Sequence, residues 1–212
     1  MKRILAAAIS ALLLVVVVPA LALTAEEVQS AYYRSYGYER TQAYDDAIKA
    51  LIPVADAYPH GYTVNLRLGW LYYLRAGHAN AITHYRRALD AIPASLEARL
   101  GLLNPLLAFG RNDEAFVIVQ QMLAVDRFNY YGNLRLAGLL HLQGKLDQAE
   151  RVSRDMLALF PSDVSFLVEL GSIKGDQGDA AAAALIFGDV LVLDPENIVA
   201  RRFLKTKSPK PH

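Results

Sequence analysis

Apolar positions along this chain fall at helical spacing, and the pattern then repeats itself. Leu66, Leu68, Trp70, Leu71 and Leu74 outline one helical face. Gly77 interrupts it, and Ala81, Ile82, Tyr85, Ala88 and Leu89 outline a second. Other parts of the chain keep step with this pair. Ala47, Ala81, Ala115, Ala149 and Ala183 stand 34 residues apart, and Pro59, Pro93, Pro161 and Pro195 share the same step, with Arg127 in the one slot that lacks proline. Gly61, Ser95, Asn129, Asp163 and Asn197 form a third column, two residues after the proline slot. A fixed period with no insertion predicts a stack of one two-helix unit rather than a mixed globular core. The units are 28–61, 62–95, 96–129, 130–163 and 164–197.

Each column has a physical role. The alanines fall where two helices would cross, and a small side chain there lets the backbones approach. The prolines end the second helix of a unit, because proline lacks the amide donor and disfavours a helical residue before it. Ser95, Asn129, Asp163 and Asn197 suit the N-cap of the next first helix, and glycine is tolerated at Gly61.

With these columns the chain resembles the tetratricopeptide repeat family. The second unit carries the resemblance best, through Leu68, Gly69, Tyr72, Ala81, Tyr85, Ala88 and Pro93, with Asn65 where the family usually has tryptophan. The fifth follows through Leu170, Gly171, Ala183, Phe187 and Pro195, whereas the third has Leu103 in the glycine slot and Arg127 in the proline slot. The resemblance implies an all-α, right-handed α-solenoid of five helix-turn-helix repeats over residues 28–197. It says little about function, because this repeat is a scaffold shared by many unrelated proteins.

The ends read differently. Lys2 and Arg3 precede an apolar run from Ile4 to Val18, and Pro19 precedes Ala20-Leu21-Ala22. This is the pattern of a secretory signal over residues 1–22 with cleavage after Ala22, and the alternative is an uncleaved membrane anchor. The expected localisation is therefore periplasmic or secreted, with no stable membrane span after cleavage. Thr24 and Glu27 make a capping box that opens the first helix of a repeat domain over 23–204. Ile198, Val199, Phe203 and Leu204 suggest a capping helix over 198–204 with Arg201, Arg202 and Lys205 on its wet side, and a basic, disordered tail over 205–212 is expected.

Composition narrows the chemistry. There is no cysteine, hence neither a disulfide framework nor a lipid-accepting thiol after the signal. The formal charge is +1, and removing Lys2 and Arg3 leaves 20 basic against 21 acidic residues, a charge of −1. Such a chain, without a basic stripe, is a poor nucleic-acid binder. His60, His78, His84, His141 and His212 form no His-Glu-x-x-His site, and Gly144-Lys145 lacks the earlier glycine and the following Ser or Thr of a phosphate loop. With no nucleophile–base pair or paired-carboxylate site, the chain reads as a non-enzyme needing no cofactor or metal.

The resemblance places the working face on the concave side, at the second, fifth, ninth and twelfth positions of each unit. Carried over, these give Tyr32 and Tyr36; Leu66, Trp70 and Tyr73; Glu97, Leu100 and Asn104; Tyr131, Leu134 and His141; and Ser165, Val168, Ser172 and Gly175. Aromatics with a polar tip bury much area at little rotamer cost and serve as anchors. Trp70, Tyr36, Tyr73 and Tyr131 are the expected anchors, with Asn104 and Arg135 as polar contacts and Tyr32, Leu66 and Leu100 completing the surface. Tyr33, Tyr38, Tyr62, Tyr72 and Tyr85 are expected between helices. The family's clamp for an acidic C-terminus is missing: Tyr32, Tyr36, Trp70, Glu97 and Gly101 stand where its Lys, Asn and Arg residues would be. Pro105 is expected to kink the first helix of the third unit along a solvent-facing stretch, the alternative being a backbone carbonyl freed in the groove for a ligand. The implied function is a scaffold in the cell envelope that binds a segment of another protein. A saccharide-binding component of polysaccharide export and a self-associating structural protein are the alternatives.

Overall fold

A computed structural model describes residues 23–207; the expected signal segment 1–22 and residues 208–212 lie outside the described residues. The described chain is a run of antiparallel helix pairs. They are α1 (Ala25–Arg40) with α2 (Tyr44–Ala57), α3 (Tyr62–Leu74) with α4 (His78–Ala91), and α5 (Leu96–Ala108) with α6 (Asn112–Val125). Then follow α7 (Tyr130–Leu142) with α8 (Leu146–Leu159), α9 (Val164–Asp176) with α10 (Ala180–Leu193), and a last helix α11 (Ile198–Lys207). Each helix packs chiefly on its chain neighbours, as expected of an all-α solenoid.

The columns do what their chemistry suggests. All five column alanines are fully buried, at 0% exposure, on the second helix of each pair. Thr24 and Glu27 form a capping box at α1, which starts at Ala25 and so runs ahead of the unit boundary at 28. Ser95, Asn129 and Asp163 accept from the backbone N–H three residues on, at 3.0, 2.9 and 3.0 Å, while Gly61 caps α3 without a side-chain bond. Asn197 does the same for Ala200 at 3.2 Å.

The turn inside each unit shows a further column. Gln42, Ala76, Gly110, Gly144 and Gly178 all have positive φ, between +60° and +85°. Glycine takes this left-handed conformation without a Cβ penalty, whereas Gln42 and Ala76 bear it. In the second unit the residue that turns the chain is therefore Ala76; Gly77 has negative φ and caps α4.

Burial departs from expectation at several places. Tyr33 and Tyr38 are exposed, not packed between helices; Tyr62 and Tyr72 are half-buried and Tyr85 is buried, as expected. Pro105 is buried inside a helix that continues to Ala108, so it does not lie on a solvent-facing stretch, and Asn104 beside it is half-buried. The final helix runs through Lys207, past the expected end of the cap at 204. Its packed residues are Ala200, Phe203 and Leu204, while Ile198 and Val199 face solvent. A helix turns by about 100° per residue, so Ile198 points away from the face of Ala200 and Phe203, while Val199, four residues before Phe203, lies at the open edge of that face.

The core is divided. One cluster joins α1 to α3 around Ala47, Leu51, Leu68 and Leu71, and a second joins α4 to α7 around Leu103, Val119 and Met122. Smaller clusters follow at Leu140, Ala149 and Ile173, and at Ala183, Phe187, Val190 and Ala200.

Candidate functional site

A cavity rich in aromatic side chains lies where α1, α3 and α5 stand side by side. Its volume is about 480 Å³, in the range of ligand-binding clefts. Tyr32 and Tyr36 come from α1, and Leu66, Arg67 and Trp70 from the middle of α3. Tyr62 and Thr63 close it at the start of α3, Glu97 and Gly101 from α5, and Tyr85 forms the floor from α4. Residues four apart on one helix lie one turn above each other, which is why Tyr32 with Tyr36, and Leu66 with Trp70, reach the same space.

An ion pair holds this wall together. Arg67 is 8% exposed and meets Glu39 Oε2 through Nη2 at 2.5 Å, linking α3 to α1. Its guanidinium lies 3.9 Å above the centre of the Tyr36 ring, and Nη2 is 3.5 Å from the hydroxyl of buried Ser35. Trp70 donates its indole N–H to the other Glu39 oxygen at 2.6 Å. Partial burial pushes the Glu39 carboxyl up, but the hydrogen bonds from Arg67 and Trp70 outweigh it, so the group stays below the usual carboxylate range. The Trp70 ring, 37% exposed, thereby presents itself to the cavity with its N–H already satisfied.

The floor depends on two glycines. A Cβ on Gly69 would lie 2.9 Å from the Tyr85 ring, and one on Gly101 only 2.2 Å from Tyr85 Cε1. Burial, with Glu97 and Tyr73 nearby, pushes the Tyr85 phenol well above its ordinary range, so it is neutral. At the rim the Tyr62 hydroxyl donates to Glu97 Oε2 at 2.9 Å and shares a 2.8 Å bond with Ser95. Burial also pushes up the phenol of Tyr32, helped by Tyr36 and opposed by Arg67.

Of the residues singled out in the sequence, Tyr32, Tyr36, Leu66 and Trp70 line this one cavity. Tyr73 stands beside it, its ring centre 5.9 Å from that of Trp70 and also 5.9 Å from His78. Leu100 packs against the second core cluster, and Asn104 Oδ1 accepts from Arg135 Nη2 at 3.0 Å across α5 and α7. Tyr131 is exposed and packs edge-on against Tyr130 instead of joining the cavity. His141 is pinned between Glu169 and Asp176, at 2.9 and 2.8 Å. Sequence reasoning missed Arg67, Glu39, Tyr62, Thr63 and Tyr85 as parts of the site. Glu39 occupies the twelfth place of the first unit and so followed from the same positional rule; Arg67 carried no such signal.

Among the described residues no group of His, Cys, Asp and Glu side chains could hold a metal ion, and no helix is long and apolar enough to cross a membrane.

Comparison with known proteins agrees with this architecture. Residues 34–95 match a family model described as tetratricopeptide repeat. No curated protein matches the sequence. A crystal structure of the MamA protein superposes with a TM-score of 0.69 at 17% identity, covering 89% of this chain and 100% of that one. MamA from Desulfovibrio magneticus RS-1 gives 0.72 at 16% identity, over 82% and 98% of the two chains. YrrB, described as a TPR protein with an unusual peptide-binding site, gives 0.67 at 13% identity, over 85% and 94%. The helix pairs, their register and these matches show the tetratricopeptide repeat fold, and residues 34–95 match the model of that family. Proteins built this way are in general non-catalytic interaction scaffolds.

Proposed function

We propose that this chain is an exported, non-catalytic scaffold of the cell envelope, and that it holds an extended segment of a partner protein in the cavity between α1, α3 and α5. The observation that carries the reading is the convergence of Tyr32, Tyr36, Leu66 and Trp70 on a single space of about 480 Å³. Clustered, accessible aromatics on a soluble surface mark interaction sites. The wall is ordered in advance by Arg67 and Glu39, so a partner segment would bear most of the ordering cost. Export rests on the charged, apolar and small-residue pattern of residues 1–22.

The test compares wild type with Trp70→Ala in capture from an envelope extract, with cross-linking to locate the bound segment. Loss of one partner from a variant that keeps its helicity supports the groove. An unchanged partner set overturns it, and Trp70 emission that responds to oligosaccharides but to no peptide moves the site to the saccharide alternative. Sequencing the N-terminus of the protein made in cells tests export: a chain beginning at Leu23 supports it, and a full-length cytoplasmic chain overturns it.

A further inference from the structure

The charge distribution of this cavity selects among segments. Arg67 and Glu97 are the only charged residues in its lining. The Arg67 charge is already met by Glu39 at 2.5 Å, and its head group is covered by the Tyr36 ring. Glu97 is exposed; Tyr62 donates to its Oε2, and Oε1 accepts no hydrogen bond from the described residues. The uncompensated charge of the site is therefore negative, and it sits beside the rings of Tyr32, Tyr36, Tyr62 and Trp70. Resting on the peptide-groove reading above, we propose that the cavity recognises a basic side chain, arginine or lysine, on the extended segment of the partner protein.

Three features carry this. The faces of tyrosine and tryptophan rings attract cations through their quadrupole, while the side-chain stem of arginine or lysine packs on the ring carbons. Arg67 already displays that mode inside the protein, with its guanidinium 3.9 Å over Tyr36. Second, an acidic side chain would meet the like charge of Glu97 in the same lining. Third, an apolar side chain would take water from the Glu97 carboxylate and supply no donor in return, which is costly for a charged group. A basic side chain supplies that donor to Oε1 and is held by a charge-assisted bond.

The experiment uses the purified protein and amidated, acetylated hexapeptide pools of neutral composition, with one position fixed as Arg, Lys, citrulline, Glu or Leu. Binding is followed by calorimetry and by emission from Trp70, which is the only tryptophan. The Arg or Lys pool is expected to bind at least about tenfold tighter than the citrulline pool, the loss of one charge-assisted contact. Glu97→Gln is expected to abolish that preference, so that the Arg, Lys and citrulline pools bind the variant alike. Equal affinity for Arg and citrulline pools, or tightest binding by Glu or Leu, overturns the inference and leaves the groove as a peptide site. Binding by no pool to a fully helical protein overturns both. A synthetic peptide of Lys205–His212, which holds three lysines, is tested alongside. Binding by it that depends on Glu97 supports the inference and makes a second copy of this chain the partner.

Discussion

Glu39 holds Trp70 and Arg67 at once, one carboxylate oxygen for each, at 2.6 and 2.5 Å. The carboxylate thus fixes the aromatic wall of the cavity and neutralises the cation behind it. Glu39→Gln keeps an acceptor for the indole N–H but leaves Arg67 buried without a counter-charge. The expected loss is about 3 kcal/mol, the lower end for breaking a buried pair by removing one partner. The sign of the pH effect follows from the depressed carboxyl: its contribution is present above the unfolded value of 4.5 and is lost as pH falls through the lower folded value. Thermal melts of wild type and variant between pH 7 and pH 3 should converge at the acid end.

Gly101→Ala is expected to displace Tyr85, since the new Cβ would lie 2.2 Å from Cε1 of a ring that Gly69 of α3 also approaches closely. Overpacking of this kind costs about 1–3 kcal/mol. Because that ring is the cavity floor, the variant should also bind any groove ligand more weakly, as calorimetry beside a chemical melt would show.

Ala76→Gly should stabilise. Ala76 sits at φ +61° in the column that Gly110, Gly144 and Gly178 fill without strain. Relieving the left-handed strain of an L-residue, less the added entropy of a glycine in the unfolded chain, leaves a gain of about 0.5–1 kcal/mol. A lower urea midpoint for the variant would contradict the strain argument.

His141 joins α7 to α9 through Glu169 and Asp176. Burial alone would lower its affinity for a proton, but the two carboxylates outweigh burial and raise it. The contribution is therefore full below the unfolded value of 6.5 and is lost as pH rises through the raised folded value. His141→Gln should be least stable relative to wild type near pH 5.5, by on the order of 1 kcal/mol, with the gap closing above neutrality. A gap independent of pH would mean that the imidazole acts by packing alone.

Asp163 serves two partners, accepting from Phe166 N–H at 3.0 Å as the cap of α9 and from the Tyr130 hydroxyl at 3.0 Å. Asp163→Ala should cost about 1–2 kcal/mol, a typical N-cap loss plus one side-chain bond. Hydrogen exchange should quicken first at the start of α9.

The periodic part of this fold could be read directly, because repetition exposes each structural demand five times. An alanine at 0% exposure is invisible as a single residue but plain as a column. The positional rule of the family likewise found Tyr32, Tyr36, Leu66 and Trp70, which the four-residue spacing within α1 and within α3 and the stacking of those two helices bring together. What escaped were relations between unlike residues in neighbouring repeats. Arg67 looks like a wet-face arginine until Glu39, one repeat earlier, is placed against it. Tyr33 and Tyr38 misled in the other direction: both sit on α1 where no described residue covers them.

The divided core has a consequence for how this molecule comes apart. The α1–α3 cluster and the α4–α7 cluster meet where α3 packs on α4, with Leu66 of α3 against the second, and the aromatic cavity straddles that seam: Tyr32 packs on the first, while Tyr85 belongs to the second. In a stack of repeats, neighbouring units can open in succession, each with its own opening free energy. A segment lodged against both Tyr32 and Tyr85 would act as a splint across such a seam. Occupancy would then register less as added strength in either block than as a merging of two unfolding steps into one.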